Sequence, residues 1–440
     1  MGDDRRALRP PSHREAQAVR IWLVNHYASD PSDSASGSRH YSLARRLHQL
    51  GWEPTVIAAS LEHNSSRQRL GPGLKSGTTT NDGVVFRWLR TREYNGNGIV
   101  RIRNMLEFTV ALLRRNSTRD LMPPDIVLGS TVHPLAAWAA SRLARRHHVP
   151  FVFEIRDLWP QTLIDMGKLS QNGLPARLMR QMERHLTARA VKVITLLPYA
   201  ADYLKTIGVE PGKVVWISNG TNVEEFDVRP HSPSDVFTFL YFGSLGRANG
   251  MPAILEGYAQ FTVQRPHANT RLVLVGNGPE KASLQKLQKQ LGLDDRVKFV
   301  PAVPKHDIPG IAATADCLVL NLLDLKIYRY GISLNKLFDY MAAARPILMA
   351  SNSVNNPVRD SDGGVCVPGD DSSEIADGMV RVLEAGREER ERWGRNAAQY
   401  VAEHFDYRVL GDQLDLMLRE ALGMSPSMPK SRLEGRPEEA

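Results

Sequence analysis

Short apolar runs alternate with amphipathic helical patterns along most of the chain. Most of these runs are continuously apolar, which is typical of strands covered on both faces. Strands and helices that alternate in this way predict an α/β protein with parallel sheets. The predicted strands begin at Val19, Pro54, Val84, Asp125, Pro150, Lys192 and Val214 in a first series and at Phe237, Arg271, Val297, Cys317, Pro346 and Gly364 in a second.

The two series predict two Rossmann-like doubly wound domains, because 440 residues are too many for one ordinary core. The polar, proline-bearing segment 219–235 lies between the series and is predicted to link the domains across a ligand cleft. The predicted division is a disordered N-terminus at 1–17, a first domain at 18–228, a second domain at 229–404, a helix at 405–422 that packs back toward the first domain, and a disordered tail at 423–440. The segment 63–82 is rich in Ser, Gly and Thr and is predicted to be a mobile loop.

Composition and charge narrow the class of protein. Hydrophobic residues make up 42% of the chain and charged residues 24%, which indicates a soluble globular protein. The formal net charge is +8, and no nucleic-acid motif accompanies it, so an anionic substrate or membrane is the expected partner and nucleic acid is not. The sequence lacks a signal-peptide core and any apolar run near the ~18 residues of a membrane span, so we expect a cytoplasmic location.

Residues 331–348 (GISLNKLFDYMAAARPIL) combine a helix start with charged side chains. Ser333 is predicted to cap the helix, and Lys336 in its first turn would join the helix N–H groups in holding a phosphate. Asn335 and Asp339 lie one turn apart on the same face, and Asp339 is suited to accept hydrogen bonds from two ribose hydroxyls. The alternative is an ordinary amphipathic helix with a solvated lysine.

A glycine-rich loop follows the first strand of the second series. Gly243 lets the backbone approach a diphosphate closely, and Arg247 and Asn249 supply side-chain donors. The loop lacks the full G-x-G-x-x-G spacing, so packing without a ligand is the alternative.

Candidate residues in the first domain follow its strands. Arg156 and Asp157 come at the carboxyl end of a buried strand, where ligands bind in open α/β sheets, although such a pair is often only structural. His133 stands between a strand and a helix, and a surface histidine is its alternative reading. Gly37 and Arg39 lie at the start of the first helix, where Arg39 is placed to meet a phosphate or an acceptor.

Two motifs resemble a known family. Residues 333–343 (SLNKLFDYMAA) resemble the nucleotide-sugar motif of retaining glycosyltransferase family 4, and more narrowly the WbuB-type branch that builds O-antigen and capsule repeat units. Residues 156–160 (RDLWP) match a motif of the same branch. The resemblance implies the GT-B fold, two Rossmann-like domains that face each other across a cleft, with the acceptor on the first domain and the nucleotide sugar on the second.

The resemblance also implies an activity. A retaining transferase would move a sugar, in our expectation an N-acetylated hexosamine, from a UDP-sugar to a lipid-diphosphate-linked or polysaccharide acceptor, with no permanently bound cofactor. Gly331 stands where the family's Glu-x7-Glu pattern has its first acid, which usually touches the donor sugar. An Asp-x-Asp metal motif occurs at 360–362, where a plain turn is predicted, so no essential metal is expected.

Further roles follow from the family picture. Asp157, His133 and Arg156 would lie in the cleft as catalytic residues, and Gly276 and Gly278 would form the turn beside the nucleotide base. Asn219 and the following glycine resemble a hinge motif.

The segment 98–119 is amphipathic and basic, which fits a helix on the anionic inner face of the plasma membrane. A helix packed on the sheet with a solvated basic edge is the alternative.

Two other functions remain open. A nucleotide-sugar epimerase of the same fold needs acid and base residues that the sequence does not clearly supply. A degenerate, non-catalytic scaffold is compatible with Gly331, and with Ser244 and Asn249 in place of the family's basic pair.

Overall fold

A computed structural model describes residues 18–30, 39–62, 67–93, 99–131, 133–226 and 235–425. Gly37, the N-terminus 1–17, the predicted domain boundary at 228 and most of the predicted tail lie outside the described residues.

Two sheets organise the described chain. The first has eight strands in the order β3-β4-β2-β1-β5-β6-β7-β8, and the second has six in the order β11-β10-β9-β12-β13-β14. The strands are β1 Val19–Val24, β2 Trp52–Ala59, β3 Ser76–Asn81, β4 Val84–Leu89, β5 Ile126–Ser130, β6 Phe151–Ile155, β7 Lys192–Thr195, β8 Val214–Trp216, β9 Phe237–Phe242, β10 Thr270–Val275, β11 Val297–Val300, β12 Cys317–Asn321, β13 Ile347–Ala350 and β14 Gly364–Val367. All neighbouring strands are parallel except β3 and β4, so the prediction of two parallel α/β units is confirmed.

Helices cover the sheets. They are α1 Arg39–Gln49, α2 Ile99–Leu113, α3 Pro134–His147, α4 Gln161–Asp165, α5 Leu174–Arg189, α6 Ala200–Thr206, α7 Met251–Gln264, α8 Lys281–Gln290, α9 Ile308–Ala312, α10 Asn335–Ala342, α11 Pro357–Asp360, α12 Ser372–Glu384, α13 Arg387–His404 and α14 Tyr407–Ala421. Short 3-10 helices lie at Arg115–Ser117, Pro211–Lys213, Val223–Glu225, Arg247–Asn249, Lys305–Asp307 and Lys326–Tyr330.

The predicted mobile loop at 63–82 is wrong for its last third, which forms strand β3. This strand pairs antiparallel with β4 through a turn at Asp82 and Gly83, both with positive φ. Its sequence SGTTTN has no apolar run, because an edge strand outside the main core needs none. The Trp88 indole and the Arg87 guanidinium of β4 donate to the threonine hydroxyls of β3 instead.

The C-terminal helix α14 returns to the first domain. Leu410 and Leu414 are buried in the apolar cluster formed with α1 and β2, and the Trp52 indole donates to Asp415 at 2.6 Å. The chain therefore crosses between the domains twice. The crossings lie side by side, because Thr221 and Asp406 form a parallel β-bridge.

Loops at the carboxyl ends of the two sheets contact each other. The 3-10 helix Lys326–Tyr330, which follows β12, buries Ile327 in an apolar cluster of the first domain. The backbone N–H of Tyr199, after β7, donates to the carbonyl of Tyr330 at 3.2 Å. This edge of both sheets is where the sequence predicts the ligand site.

Candidate active site

Lys336 is the central cation of the second domain. Its ammonium donates to the Tyr241 hydroxyl at 2.9 Å and to Asn249 Oδ1 at 2.5 Å, and it lies 4.6 Å from the centre of the Tyr241 ring. Both partners are neutral, and among the described residues no carboxylate lies within ion-pair distance of Lys336. Burial without a compensating carboxylate lowers the pKa of Lys336 to about 7. The site therefore holds a half-buried ammonium that an anionic ligand would stabilise.

The glycine-rich loop after β9 packs against the turn after β10. A Cβ on Gly276, whose φ is +153°, would lie 1.9 Å from the Gly243 carbonyl oxygen, and one on Gly278 would lie 2.3 Å from the Leu245 carbonyl oxygen. These glycines are thus required for two backbones to meet, whatever their role toward a nucleotide.

The side chains of that loop differ in role. Asn249 faces Lys336 and also donates from Nδ2 to the Ser244 carbonyl at 2.8 Å. Arg247, in the 3-10 helix after the loop, is exposed and forms no ion pair within the described part of the chain. Asn249 is therefore placed to orient the ammonium, whereas Arg247 is open to solvent.

Ser333 does not cap α10, so that prediction is wrong. Helix α10 begins at Asn335, which is exposed, and the N-cap position is Leu334. Ser333 instead joins the two domains. Its hydroxyl accepts from the backbone N–H of Asn219 at 2.8 Å, and its carbonyl accepts from Asn219 Nδ2 at 2.8 Å.

Asp339 lies one turn into α10 and is buried. Its Oδ1 accepts from the Thr221 hydroxyl at 2.7 Å, and its Oδ2 pairs with the Lys305 ammonium. Thr221 belongs to the first crossing between the domains. The carboxylate that sequence analysis assigned to ribose is therefore already tied to that crossing and to the loop after β11.

Arg39, which the sequence predicted to meet a phosphate or an acceptor, has a different role in the first domain. Its side chain is buried, and its Nε donates to Glu154 at 2.9 Å while NH2 donates to the Ile217 carbonyl at 2.8 Å. The other oxygen of Glu154 lies 2.8 Å from His40 Nε2. Although burial alone would raise it, His40 and Arg39 hold the pKa of Glu154 well below its usual range. Arg39 thus neutralises an internal carboxylate and is not placed to meet a phosphate.

His133 is also structural in this fold. It is buried and caps α3, where its Nδ1 accepts from the backbone N–H of Ala136 at 3.3 Å. Nδ1 therefore carries no proton, and the neutral ring donates from Nε2 to His26 Nδ1 at 2.7 Å. Burial, with Arg101 as a lesser cause, lowers the pKa of His133 to about 4. Both ring nitrogens are engaged, so we remove His133 from the catalytic candidates.

Arg156 and Asp157 follow β6 at its carboxyl end. The backbone N–H of Arg156 donates to the Thr131 hydroxyl at 3.0 Å, which fixes the turn. The Asp157 side chain is solvent-accessible. Within the described residues, no ion pair joins Arg156 to Asp157, so neither side chain neutralises the other directly. Surrounding protein raises the pKa of Asp157, and Arg156 opposes that shift. These two charged side chains are therefore open to a ligand at this edge of the first sheet.

The surroundings of Gly331 explain why a glycine stands where the family pattern has an acidic residue. Its φ of +95° favours glycine, and a Cβ there would lie 2.6 Å from Pro198 of the first domain. An acidic side chain has no room at this position while the domains are packed as they are, so donor-sugar recognition must use other residues.

Three residues of the site were missed by sequence analysis: Tyr241, Lys305 and Thr221. Tyr241 lies near the end of β9, and Lys305 and Thr221 lie in the segments that follow β11 and β8; the carboxyl side of the strands, where ligand residues of such sheets gather, is the signal they offered. Their side chains come together only through contacts between distant segments.

Among the described residues, no group of three or more His, Cys, Asp or Glu side chains has the arrangement of a metal site. No helix among those residues combines the length and the apolar character needed to cross a membrane.

Two Rossmann-like domains with parallel sheets and facing strand ends define the GT-B class of fold. Residues 35–220 match the Glycosyl transferase 4-like domain, and residues 236–385 match Glycosyl transferases group 1. The chain therefore carries both domains of a GT-B glycosyltransferase in tandem, as sequence analysis predicted, and these matches support a glycosyltransferase.

Known proteins resemble the chain at low identity. Alpha-D-kanosaminyltransferase from Streptomyces kanamyceticus is 27% identical over 250 residues, which cover 54% of this chain and 62% of that protein. Across the first three curated relatives, the aligned segments span only 45% to 62% of the relative's length.

Solved structures share the fold. Sucrose-phosphate synthase from Thermosynechococcus elongatus superposes with a TM-score of 0.71 at 18% identity, covering 92% of this chain and 100% of that one. HepE from Anabaena, solved in complex with UDP-glucose, gives a TM-score of 0.64 at 15% identity over 91% of this chain and 99% of that one.

Proposed function

We propose that the chain is a metal-independent retaining glycosyltransferase of the WbuB-like branch. Its donor is a UDP-sugar carrying an N-acetylated hexosamine, and its acceptor is a lipid-diphosphate-linked glycan used in O-antigen or capsule synthesis. The reaction breaks the bond between the anomeric carbon and the diphosphate and forms a glycosidic bond to an acceptor hydroxyl. The proton of that hydroxyl passes to the departing diphosphate, so no separate general base is required.

The uncompensated Lys336 ammonium is the observation that carries this proposal. A leaving diphosphate develops negative charge, and a fixed cation in a partly desolvated site stabilises it more than water does. The first turn of α10 carries the same ammonium and offers helix N–H donors, and the backbone at Gly243 packs against the Lys336 side chain. The structural neighbour HepE was solved with UDP-glucose, which supports a UDP-sugar rather than another activated sugar.

Asp339 is the proposed ligand of the ribose. Both of its oxygens have protein partners, so the ribose hydroxyls must replace one of them. Lys305 is the more exposed partner and is the first residue of the 3-10 helix after β11, and we propose that the nucleotide displaces it from Asp339. Binding of the nucleotide would then free the Lys305 ammonium beside the bound ligand.

The acceptor side of the proposal rests on the first domain. Asp157 and Arg156 are its accessible charged groups at the sheet edge, and we assign them to the reacting sugar and the acceptor hydroxyl. Helix α2 exposes Val100, Ile102 and Leu106 between arginines, which suits a protein attached to the inner face of the plasma membrane.

A donor screen tests the proposal. The protein is incubated with UDP-hexosamines and other nucleotide sugars together with lipid-diphosphate acceptors, with and without EDTA, and products are followed by mass spectrometry. We expect transfer from a UDP-N-acetylhexosamine that EDTA leaves intact. Complete loss in EDTA with recovery on adding manganese would contradict the metal-independent mechanism.

Thermal shift measurements with UDP and other nucleoside diphosphates separate the alternatives. Stabilisation by UDP is expected, because the ligand binds the folded state. No shift with any nucleoside diphosphate would favour the scaffold. Conversion of a UDP-sugar to its epimer without acceptor would favour the epimerase, which the engaged ring nitrogens of His133 argue against.

A further inference from the structure

Thr221 fastens the first crossing between the domains, residues 217–221, to helix α10. Its hydroxyl donates to Asp339 Oδ1 at 2.7 Å, and both side chains are buried. Two residues earlier on the same crossing, Asn219 bonds to both the hydroxyl and the carbonyl of Ser333, just before the helix. The helix that carries the candidate ribose ligand is therefore positioned by the segment that joins the domains.

The backbone of Thr221 is held on both sides. Its N–H donates to the Phe405 carbonyl at 3.0 Å, and its carbonyl accepts from the Tyr407 N–H at 3.0 Å. Gly220 allows this close approach, because a Cβ there would lie 2.2 Å from the Phe405 carbonyl oxygen. A β-branched side chain on a fixed backbone has few rotamers, so the Thr221 hydroxyl keeps one direction, toward Asp339.

The first domain holds the beginning of the same crossing. Arg39 donates from NH2 to the Ile217 carbonyl at 2.8 Å and from NH1 to the Ser218 carbonyl. Its Nε is bound to Glu154, so the guanidinium is itself fixed. The place of Thr221 beside Asp339 therefore depends on how the two domains are packed.

The two oxygens of Asp339 have partners of different kinds. Oδ2 pairs with the Lys305 ammonium, whose side chain is 24% exposed, whereas the Thr221 residue that bonds to Oδ1 is only 2% exposed. Pulling the buried hydroxyl away from Asp339 would leave a donor without a partner, while a displaced ammonium returns to water. Oδ2 is therefore the oxygen that a ligand takes at the lower cost.

We infer that Thr221 is a positioning residue for ribose recognition: its hydroxyl stays on Asp339 Oδ1 and aims Oδ2 at the ribose hydroxyls. This inference rests on the proposed function, in which Asp339 binds the ribose. Thr221 acts through Asp339 and does not itself contact the nucleotide. Nucleotide recognition then depends on the domain interface, because the second domain supplies the carboxylate and the crossing between the domains orients it.

Isothermal titration calorimetry of the full chain with UDP and with 2′-deoxy-UDP tests the inference. Wild type should bind UDP about tenfold or more tightly than 2′-deoxy-UDP, because a ribose hydroxyl bonded to a carboxylate makes a strong hydrogen bond. Thr221→Val replaces the hydroxyl with a methyl group of similar size. Its preference for UDP should fall to about threefold or less, since the carboxylate loses its fixed direction. Thr221→Ala, which removes the hydroxyl without adding a methyl group, should repeat this result.

Two further variants serve as controls. Thr221→Ser keeps the hydroxyl, so its preference for UDP should stay within about twofold of wild type. Thr187→Val removes another buried threonine hydroxyl, which bonds to a backbone carbonyl within α5, and should leave the preference unchanged.

Several outcomes would overturn the inference. One is a preference for UDP in Thr221→Val and Thr221→Ala as large as in wild type. Another is an equal loss of affinity for both nucleotides, which a merely structural role predicts. Tighter binding of UDP by Thr221→Val would show that the ribose displaces Thr221 rather than Lys305. Equal binding of the two nucleotides by wild type would contradict the ribose assignment and the role of Thr221, whereas binding of neither would contradict the proposed function as well.

Discussion

The charged residues at the carboxyl ends of the two sheets differ in whether the protein itself supplies their counter-charge. In the first domain, Glu154 is buried and shares its carboxylate between Arg39 and His40. In the second domain, Lys336 is half-buried, and within the described part of the chain its side-chain hydrogen-bond partners are a phenol and an amide. Both clusters lie at the carboxyl edge of a parallel sheet, yet among the described residues a counter-charge is present only in the first.

This difference in pairing distinguishes a charged group that stabilises the fold from one that is suited to bind a ligand. A buried carboxylate whose two oxygens are both paired is compensated within the protein. If a ligand displaced one of its partners, a buried charge would be left without compensation, which destabilises the fold. A cation held at reduced pKa by neutral neighbours costs free energy until an anion arrives. Asp339 lies between these cases, because it is buried and paired but one partner, Lys305, is partly exposed.

Glu154→Ala should have the largest effect. It leaves the Arg39 guanidinium buried without a counter-charge, so we expect the free energy of unfolding to fall by about 3–5 kcal/mol. Urea denaturation followed by circular dichroism measures this loss. Glu224→Ala, which removes the exposed partner of the partly exposed Arg45, is the control and should cost about 1 kcal/mol or less. A loss from Glu154→Ala as small as the control would mean that Arg39 is solvated, and would restore it as a ligand candidate.

Lys336→Ala should weaken binding of UDP by about 30- to 100-fold, because the phosphates lose a charge-assisted partner worth about 2–3 kcal/mol. Isothermal titration calorimetry measures the affinity, and Lys298→Ala, on the exposed side of β11, is the matched control. The stability of Lys336→Ala should equal or exceed that of wild type, since a partly buried ammonium without a counter-charge is removed. Unchanged UDP affinity would remove Lys336 from the phosphate site and with it the contrast between the domains.

Sequence predicted the elements well because the strands are buried and continuously apolar. Thirteen of the fourteen strands coincide with predicted runs, and β3 was missed because its SGTTTN sequence carries no core residue. Its partner strand supplies the hydrogen bonds that hold it, and such pairing is decided by a neighbour rather than by the segment itself.

Site residues were harder to predict than strands. Arg39 and Lys336 look alike in sequence, since each is a basic residue at a helix start near a strand end. What distinguishes them is the carboxylate of Glu154, which lies 115 residues from Arg39 along the chain. Ser333 shows the same limit. Its position before a helix predicted a cap, but its hydroxyl instead accepts a hydrogen bond from the backbone N–H of Asn219 across the domain interface.

The pH dependence of UDP binding offers the finest test of the contrast. The pKa of Lys336 in the free protein is lowered to about 7 by burial, and a bound diphosphate favours the charged form and raises it. The stabilisation is therefore fully present below pH 7 and is lost as pH rises above it. Between pH 7 and 9 we expect the affinity for UDP to fall by up to about tenfold per unit, equal to ~1.4 kcal/mol.

Lys336→Arg separates this effect from other titrations. Arginine stays charged through this range, so the fall between pH 7 and 9 should flatten in the variant even if its affinity at pH 7 is reduced by the different shape. Calorimetry in buffers of different ionisation enthalpy should also show proton uptake on binding by wild type near pH 8, and little uptake by the variant. An equally steep fall in both proteins would assign the titration to another group. Lys336 would then be fully charged throughout this pH range. In that case its charge state would not differ from that of the paired arginines in the first domain.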